Sequence, residues 1–179
     1  MILGFIGTGN IVSDVIAGIS NSKIKYKKII ISPRNKKKAK YLKRKYKKII
    51  IAKDNQAVID NSNWVFLGTL PSVGEKILPD LKFKKNQTVV SFMSTLSYSK
   101  LKKLIKLKLD IVKAIPMPPI SIGKGPVAIF PKNKKVKNLF NQIGATIEIR
   151  DEKLSKNFWV ISGTMASFYE LLNVLSKWL

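Results

Sequence analysis

Residues 1–150 predict an α/β protein with a parallel sheet covered by helices on both faces, and residues 151–179 predict the start of an all-helical domain. Three observations support this division. Short apolar segments alternate with amphipathic ones up to Arg150, the first apolar segment ends in a glycine-rich turn, and the final segment is apolar almost all round. Such alternation is typical of successive strand and helix units whose strands pair in parallel.

Short continuous apolar runs predict the strands, because a strand that is buried on both faces has no polar side. The first run begins at Ile2 and ends at the glycines after Ile6, and the second is bounded by Pro33. The predicted strands cover residues 2–6, 28–32, 49–52, 64–68, 88–92, 110–115, 127–130 and 146–149.

Apolar residues at helical spacing predict the helices between these strands. The first helix shows this spacing from Ile11 to Ile19, and Ser97 is a suitable N-cap for the helix at 98–107. The other predicted helices cover residues 36–46, 56–60, 73–78 and 134–143.

The terminal segment differs in kind, because its apolar residues cover nearly the whole surface of a helix. Asp151 can open this helix, and Trp159, Phe168 and Trp178 lie along it. Such a helix needs a partner surface, either the sheet domain or a second subunit. We therefore place a domain boundary near Arg150 and expect a homo-oligomer formed through the C-terminal helix.

The composition excludes several classes of function. The chain has no cysteine and no histidine, which removes disulfide frameworks, thiolate zinc sites and catalysis by thiol or imidazole, and no metal site is predicted. The apolar runs are too short for membrane spans, and residues 1–7 lack the basic leader of a signal peptide. We expect a cytoplasmic protein with no membrane partner.

The net charge of +24, from 34 basic and 10 acidic residues, is concentrated in lysine-rich stretches between residues 23 and 48. A strongly basic chain is typical of nucleic-acid or acidic-membrane binding. Here the excess is almost all lysine, which codon bias in an AT-rich genome explains, and the tyrosines near the lysines do not form a stacking pattern. A nucleic-acid partner is therefore disfavoured, while a face that attracts phosphate-bearing ligands stays an alternative to a solvated one.

A glycine-rich turn joins the first predicted strand to the first predicted helix. In this position a G-x-G motif is typical of a dinucleotide-binding domain of the Rossmann type. Gly7 permits the tight turn, Gly9 lets the backbone approach a pyrophosphate, and the helix opens toward negative charge. The turn therefore predicts NAD(P) binding by Gly7, Thr8, Gly9, Asn10 and Ile11.

The fingerprint is incomplete at its third position. Glycine or alanine is expected there because the helix packs closely on the strand, but the residue is Val12. A glycine turn without a ligand is the alternative interpretation.

The end of the second strand favours NADP over NAD. An acidic residue about twenty positions after the glycines binds the ribose hydroxyls in NAD domains, whereas a basic residue accepts the 2′-phosphate of NADP. Ser32, Arg34 and Asn35 stand at this strand end, and no carboxylate is present to repel a phosphate. A surface arginine without a ligand is the alternative for Arg34.

Several segments together resemble the pyrroline-5-carboxylate reductase family, and the resemblance extends over nearly the whole chain. Residues 4–11 resemble that family's opening, and residues 55–71 resemble the stretch from its cofactor-contacting asparagine to the end of the next strand. Further similarity lies at residues 89–97, at 112–116 before the proline-rich loop, and at 162–164 in the family's dimerisation helix.

The resemblance extends the predicted cofactor site beyond the glycine turn. It places Asn55 on the adenosine side and Thr69, Leu70 and Pro71 beside the nicotinamide half. The chain departs from the family pattern at Leu70, where the family has lysine, in the proline-rich loop at 117–118, and after the dimerisation motif at 165–166. It is thus similar to a divergent member whose dimerisation domain is truncated within its first helix.

The reaction that the resemblance implies is NADPH-dependent hydride transfer to the C=N carbon of 1-pyrroline-5-carboxylate or a related cyclic imine, which yields proline in the first case. No catalytic residue is identified in this sequence. Two alternatives remain open: a non-catalytic NADP-binding module, and another Rossmann reductase such as an F420-dependent NADP reductase.

Overall fold

The computed structural model describes residues 1–178, without the side chains of residues 156, 158–163 and 166. The strands are β1 (Ile2–Ile6), β2 (Lys28–Ile31), β3 (Ile49–Ile51), β4 (Trp64–Leu67), β5 (Thr88–Ser91), β6 (Asp110–Pro116), β7 (Pro126–Phe130) and β8 (Ala145–Glu148). The helices are α1 (Asn10–Asn21), α2 (Lys36–Lys45), α3 (Asn55–Asp60), α4 (Pro71–Ile77), α5 (Tyr98–Ile105), α6 (Lys134–Phe140) and α7 (Ser155–Trp178).

The strands form one eight-stranded sheet in the order β3-β2-β1-β4-β5-β6-β7-β8. The chain runs outward from β1 to β3, then crosses back and continues on the other side from β4. The carboxyl ends of β1 and β4 therefore lie side by side at the point where the strand order reverses. Open α/β sheets bind their ligands in the crevice at such a point.

Helices cover both faces of this sheet and enclose two apolar cores. One core lies around α1 and includes Phe5, whose ring stacks on that of Phe66 at 4.5 Å between centroids. The other core includes Val58 of α3 and Leu101 of α5. The predicted α/β class with helices on both faces is confirmed.

One strand pair corrects the prediction of an entirely parallel sheet. Strands β6 and β7 are antiparallel, with Lys113 opposite Phe130, whereas the other pairs are parallel. The reason lies in the connection, because a parallel return needs a long crossover and residues 117–125 hold only a 3₁₀ turn (Pro118–Ile122). Helix α6 then supplies the crossover that returns β8 parallel to β7.

The terminal helix begins four residues later than the predicted Asp151. Asp151 instead caps a 3₁₀ turn (Glu152–Leu154), and its carboxylate accepts a hydrogen bond from the Lys153 backbone N–H at 2.9 Å. Helix α7 then runs from Ser155 to Trp178. The indole of Trp159, the side chains of the 162–163 motif and Leu179 lie outside the described residues.

The described part of α7 is strongly exposed. The Trp178 side chain is 89% exposed, and the other apolar residues that are exposed on this helix are Phe168, Tyr169, Leu171, Leu172, Val174 and Leu175. Within the described residues, no helix combines the length and the hydropathy needed to cross a membrane.

Candidate functional site

The turn after β1 places Gly7 against the end of β4. Gly7 has a φ of 98°, which side chains rarely adopt, and a Cβ at this position would lie 2.5 Å from the Gly68 carbonyl oxygen. The Gly7 N–H donates to the Ser32 hydroxyl at 2.9 Å, and that side chain is buried. Gly7 therefore joins the carboxyl ends of three neighbouring strands.

The start of α1 has the properties of an anion site. Gly9 occupies the N-cap position, so no side chain caps the helix, and a Cβ at Gly9 would meet nothing within 4 Å. The first N–H groups of a helix lack partners within the helix and carry partial positive charge. The buried hydroxyl of Thr8 also lacks a hydrogen-bond partner among the described residues. The open space at Gly9 and the N–H groups at the start of α1 fit the pyrophosphate of a dinucleotide.

A cleft of about 900 Å³ opens over this turn. The glycine turn and the residues after β4 line parts of it, and Phe92 and Ser94 of the loop after β5 line another part. The predicted cofactor residues that line it are Gly7, Thr8, Gly9, Asn10, Ile11, Arg34, Asn35, Thr69, Leu70 and Pro71. Residues from four separate segments thus meet at the switch point of the sheet.

A smaller cavity of about 400 Å³ continues from the cleft and contains the two remaining predicted residues, Ser32 and Asn55. Gly7, Arg34 and Thr69 line both spaces. The structure therefore brings every predicted cofactor residue to one edge of the sheet.

Not every predicted side chain is equally free to bind a ligand. The side-chain oxygen of Asn35 accepts a hydrogen bond from the Lys38 backbone N–H at 3.1 Å and so caps α2, which leaves its amide NH₂ as the group available to a ligand. The Thr69 hydroxyl contacts the Met93 sulfur at 3.5 Å. The Leu70 side chain is 71% exposed at the rim of the cleft, where it adds apolar surface and no charge.

Lys38 is a cation beside the cleft that the sequence analysis did not identify. Its ammonium group donates to the side-chain oxygen of Asn10, the first residue of α1. Lys38 is half-buried, in contrast to the exposed Lys36, Lys37 and Lys40 on the same helix. Its position in the first turn of the helix that follows Arg34 is the sequence signal that could have indicated it.

Asp14 is the carboxylate that faces Lys38 from α1. Partial burial raises the pKa of Asp14 above its ordinary value, and the positive charge of Lys38 acts in the opposite direction. The two side chains thus place opposite charges between the N-terminal turns of α1 and α2.

A second cavity of about 570 Å³ adjoins the cleft and shares Ile11, Phe92 and Ser94 with it. Its other walls come from the end of β6, the proline-rich loop and helix α7. These lining residues are Ile115, Pro116, Met117, Pro118, Pro119, Met165 and Tyr169. The cavity is mostly apolar, and it lies at the end of the cleft opposite to Asn55.

A protein-family model described as "NADP oxidoreductase coenzyme F420-dependent" matches residues 2–95, which include β1 through β5 and the whole glycine turn. Among curated proteins, the pyrroline-5-carboxylate reductase of Staphylococcus haemolyticus is 27% identical over 188 aligned positions. This alignment covers 99% of the present chain and 69% of the relative.

Solved structures show the same relationship. The 1-pyrroline-5-carboxylate reductase of Streptococcus pyogenes superposes with a TM-score of 0.80 at 25% identity, covering 96% of this chain and 66% of that one. The Plasmodium falciparum pyrroline carboxylate reductase, solved with NADP bound, shares the fold with a TM-score of 0.79 at 22% identity, covering 95% and 65%.

The chain spans about two thirds of the length of these relatives. The glycine turn and the order of the strands are both typical of a dinucleotide-binding domain, and the family model matches the residues that form β1 to β5. The chain belongs to the family whose model is described as "NADP oxidoreductase coenzyme F420-dependent", and the curated relatives and solved structures support a divergent member of the pyrroline-5-carboxylate reductase family.

Proposed function

We propose that the chain binds NADPH in the cleft and that the protein reduces 1-pyrroline-5-carboxylate, or a related cyclic imine, to the corresponding amine. The observation that carries this proposal is the uncapped start of α1, where Gly9 leaves open space beside the unsatisfied Thr8 hydroxyl. A pyrophosphate in this space would accept hydrogen bonds from the first N–H groups of α1, and it would lie at the switch point of the sheet.

The preference for NADP rests on the charges around the end of β2. Arg34 lines both the cleft and the smaller cavity, Asn35 and Lys36 also line the cleft, and Lys38 in the first turn of α2 donates to Asn10. Cationic donors favour the 2′-phosphate of NADP, and a guanidinium can bind two of its oxygens at once. Asn55 and Ser32 would then lie on the adenosine side.

The nicotinamide ring and the imine are proposed to meet in the second cavity. It adjoins the cleft through Ile11, Phe92 and Ser94, and its mostly apolar walls would exclude water around the reacting carbon. NADPH supplies the hydride for the C=N carbon, and the nitrogen gains a proton, so the chain's own residues chiefly align the two rings. No side chain is assigned as the acid.

A homo-oligomer formed through α7 is also part of the proposal. The exposed Phe168, Leu172 and Trp178 lie on this helix, and a helix with such a surface is typical of an interface. We therefore keep the division at Arg150, with residues 1–150 as the cofactor domain and 151–179 as the first helix of a dimerisation domain. Sedimentation at several concentrations should show dimers or larger species, whereas a monomer at all concentrations would contradict this part.

Two other functions are alternatives to the imine reductase, and experiments can distinguish the three. The matched family model favours an F420-dependent NADP reductase as the second candidate, and the departures from the pyrroline-5-carboxylate reductase pattern favour a module that binds NADP without turnover. All three share the cofactor site; the two reductases differ in the second substrate, and the module has none.

Titration with NADPH and NADH, followed by calorimetry, tests the shared part first. We expect NADPH to bind more tightly, and absence of binding by either nucleotide would contradict all three functions. Loss of NADPH absorbance on addition of 1-pyrroline-5-carboxylate would then support the imine reductase. Reduction of F420 by NADPH without reaction of the imine would favour the second candidate, and the module would bind NADPH without oxidising it in the presence of either substrate.

A further inference from the structure

A charge pair with a buried lysine contacts the loop after β5. Lys113 is in the middle of β6 with its side chain only 5% exposed, and its ammonium group lies 2.5 Å from the Glu152 carboxylate. The same ammonium group donates to the Ser94 carbonyl oxygen at 3.1 Å. The cation thus connects the sheet to the loop after β5 and to the 3₁₀ turn before α7.

The Glu152 carboxylate has a second partner at the start of α5. Its Oε1 atom, which contacts Lys113, also accepts a hydrogen bond from the backbone N–H of Tyr98 at 2.7 Å. Tyr98 is the first residue of α5 and follows Ser97, whose hydroxyl caps that helix. Both ends of the loop at residues 94–98, here called the Ser94 loop, are therefore held by this one pair.

The segments that this pair joins form the walls of the second cavity. Ser94 lines both the cleft and the second cavity, while Met165 and Tyr169 of α7 line the second cavity from the other side. Glu152 stands three residues before α7 begins. Neither Lys113 nor Glu152 lines this cavity, but Lys113 contacts Ser94, which does, and Glu152 precedes the helix that does.

We propose that Lys113 and Glu152 are positioning residues that hold the Ser94 loop and the start of α7 in register at the nicotinamide end of the cleft. The identity of the ligand rests on the proposed function. Removal of Glu152 would leave the buried Lys113 ammonium group without its counter-charge, which is strongly unfavourable. Removal of Lys113 would take away the cation that holds both the Ser94 carbonyl and the Glu152 carboxylate. In either case the loop and the helix would separate to admit water. The adenosine end, formed by Ser32, Arg34 and Asn55, would keep its geometry.

The chain offers a matched control in a second lysine and glutamate pair. Lys137 of α6 lies 2.8 Å from Glu148 of β8, but its side chain is 38% exposed. This pair lines neither the cleft nor the second cavity. Its removal should therefore leave cofactor binding unchanged.

The first test compares the affinities of the full chain and its variants for NADPH and for 2′,5′-ADP, which lacks the nicotinamide half. In Lys113→Met and Glu152→Gln we expect NADPH to bind roughly tenfold more weakly, with 2′,5′-ADP unchanged, because only the nicotinamide end is misplaced. Lys137→Met should change neither affinity. An equal loss for both ligands, or no loss, would overturn the proposal.

A second readout needs no ligand. Hydrogen exchange in Glu152→Gln, which preserves the shape of the side chain, should become faster together in the Ser94 loop and at the start of α7, and should stay unchanged in Lys137→Met. Faster exchange in only one segment, or in neither, would overturn the inference. If the parent chain bound neither NADPH nor 2′,5′-ADP, the proposed function would fail, and hydrogen exchange would still decide whether the pair joins these two segments.

Discussion

Val12 of α1 packs directly over Gly68 at the end of β4, so closely that a Cβ at Gly68 would lie 2.1 Å from the Cγ2 methyl group of Val12. Val12 is fully buried there. Val12 stands where the fingerprint expects glycine or alanine. Its larger side chain fits because Gly68, the residue that it meets at the end of β4, has no side chain. This exchange of small and large residues keeps α1 close to the sheet.

The first prediction concerns this contact. Gly68→Ala should lower the free energy of unfolding by about 1–3 kcal/mol, because the added methyl group overpacks the space that Val12 fills. Denaturant unfolding measures the change. The double variant Gly68→Ala with Val12→Ala should lose less stability than the sum of the two single variants. Additive losses would contradict the direct contact.

The second prediction separates the roles of the two glycines in the turn. Gly9→Ala should leave the stability nearly unchanged, since its Cβ would enter open space, but it should weaken NADPH binding, because that space is the proposed position of the pyrophosphate. Gly7→Ala should instead destabilise the fold, since its φ of 98° and the Gly68 carbonyl both oppose a side chain. Thermal unfolding and calorimetric titration distinguish these effects. Tight binding by Gly9→Ala would place the pyrophosphate elsewhere.

The third prediction concerns the preference for NADPH over NADH. Arg34→Ala should remove most of the difference in binding free energy, on the order of 1–3 kcal/mol for charge-assisted hydrogen bonds. Lys38→Met should also reduce the difference, whereas Lys37→Met on the exposed side of α2 serves as the control. Titrations with both nucleotides at fixed ionic strength measure these changes. Equal affinities of the parent chain for the two nucleotides would contradict the assignment of NADP.

The fourth prediction follows from the raised pKa of Asp14. An acid whose pKa is higher in the folded than in the unfolded protein contributes stability below its unfolded value, and this contribution is lost as the pH rises through the folded value. Asp14→Asn should therefore be more stable than the parent at neutral pH. The difference should vanish below the ordinary value of 3.8. Urea unfolding at several pH values measures it, and a difference that is independent of pH would contradict the burial of this carboxylate.

The sequence by itself determined the elements of the fold and the place of the candidate site. The alternation of apolar runs with helical spacing depends on residues a few positions apart, so it can be found without tertiary structure. The position of Gly7 and Gly9 between a strand and a helix placed the cleft, because that junction constrains the backbone locally. The predicted cofactor residues therefore lie together in the structure, although they come from several segments.

Tertiary structure alone decided the features that depend on distant pairs. One such feature is the antiparallel pairing of β7 with β6. Three others are contacts between residues far apart in the chain: Val12 with Gly68, Lys38 with Asn10, and Lys113 with Glu152. The sequence placed Lys38 near the start of a helix and Lys113 within an apolar strand, but it did not show which side chains they contact. Only close packing shows which lysine is buried and which charge it meets, because the interactions of a charge depend on its surroundings in space rather than on its neighbours along the chain.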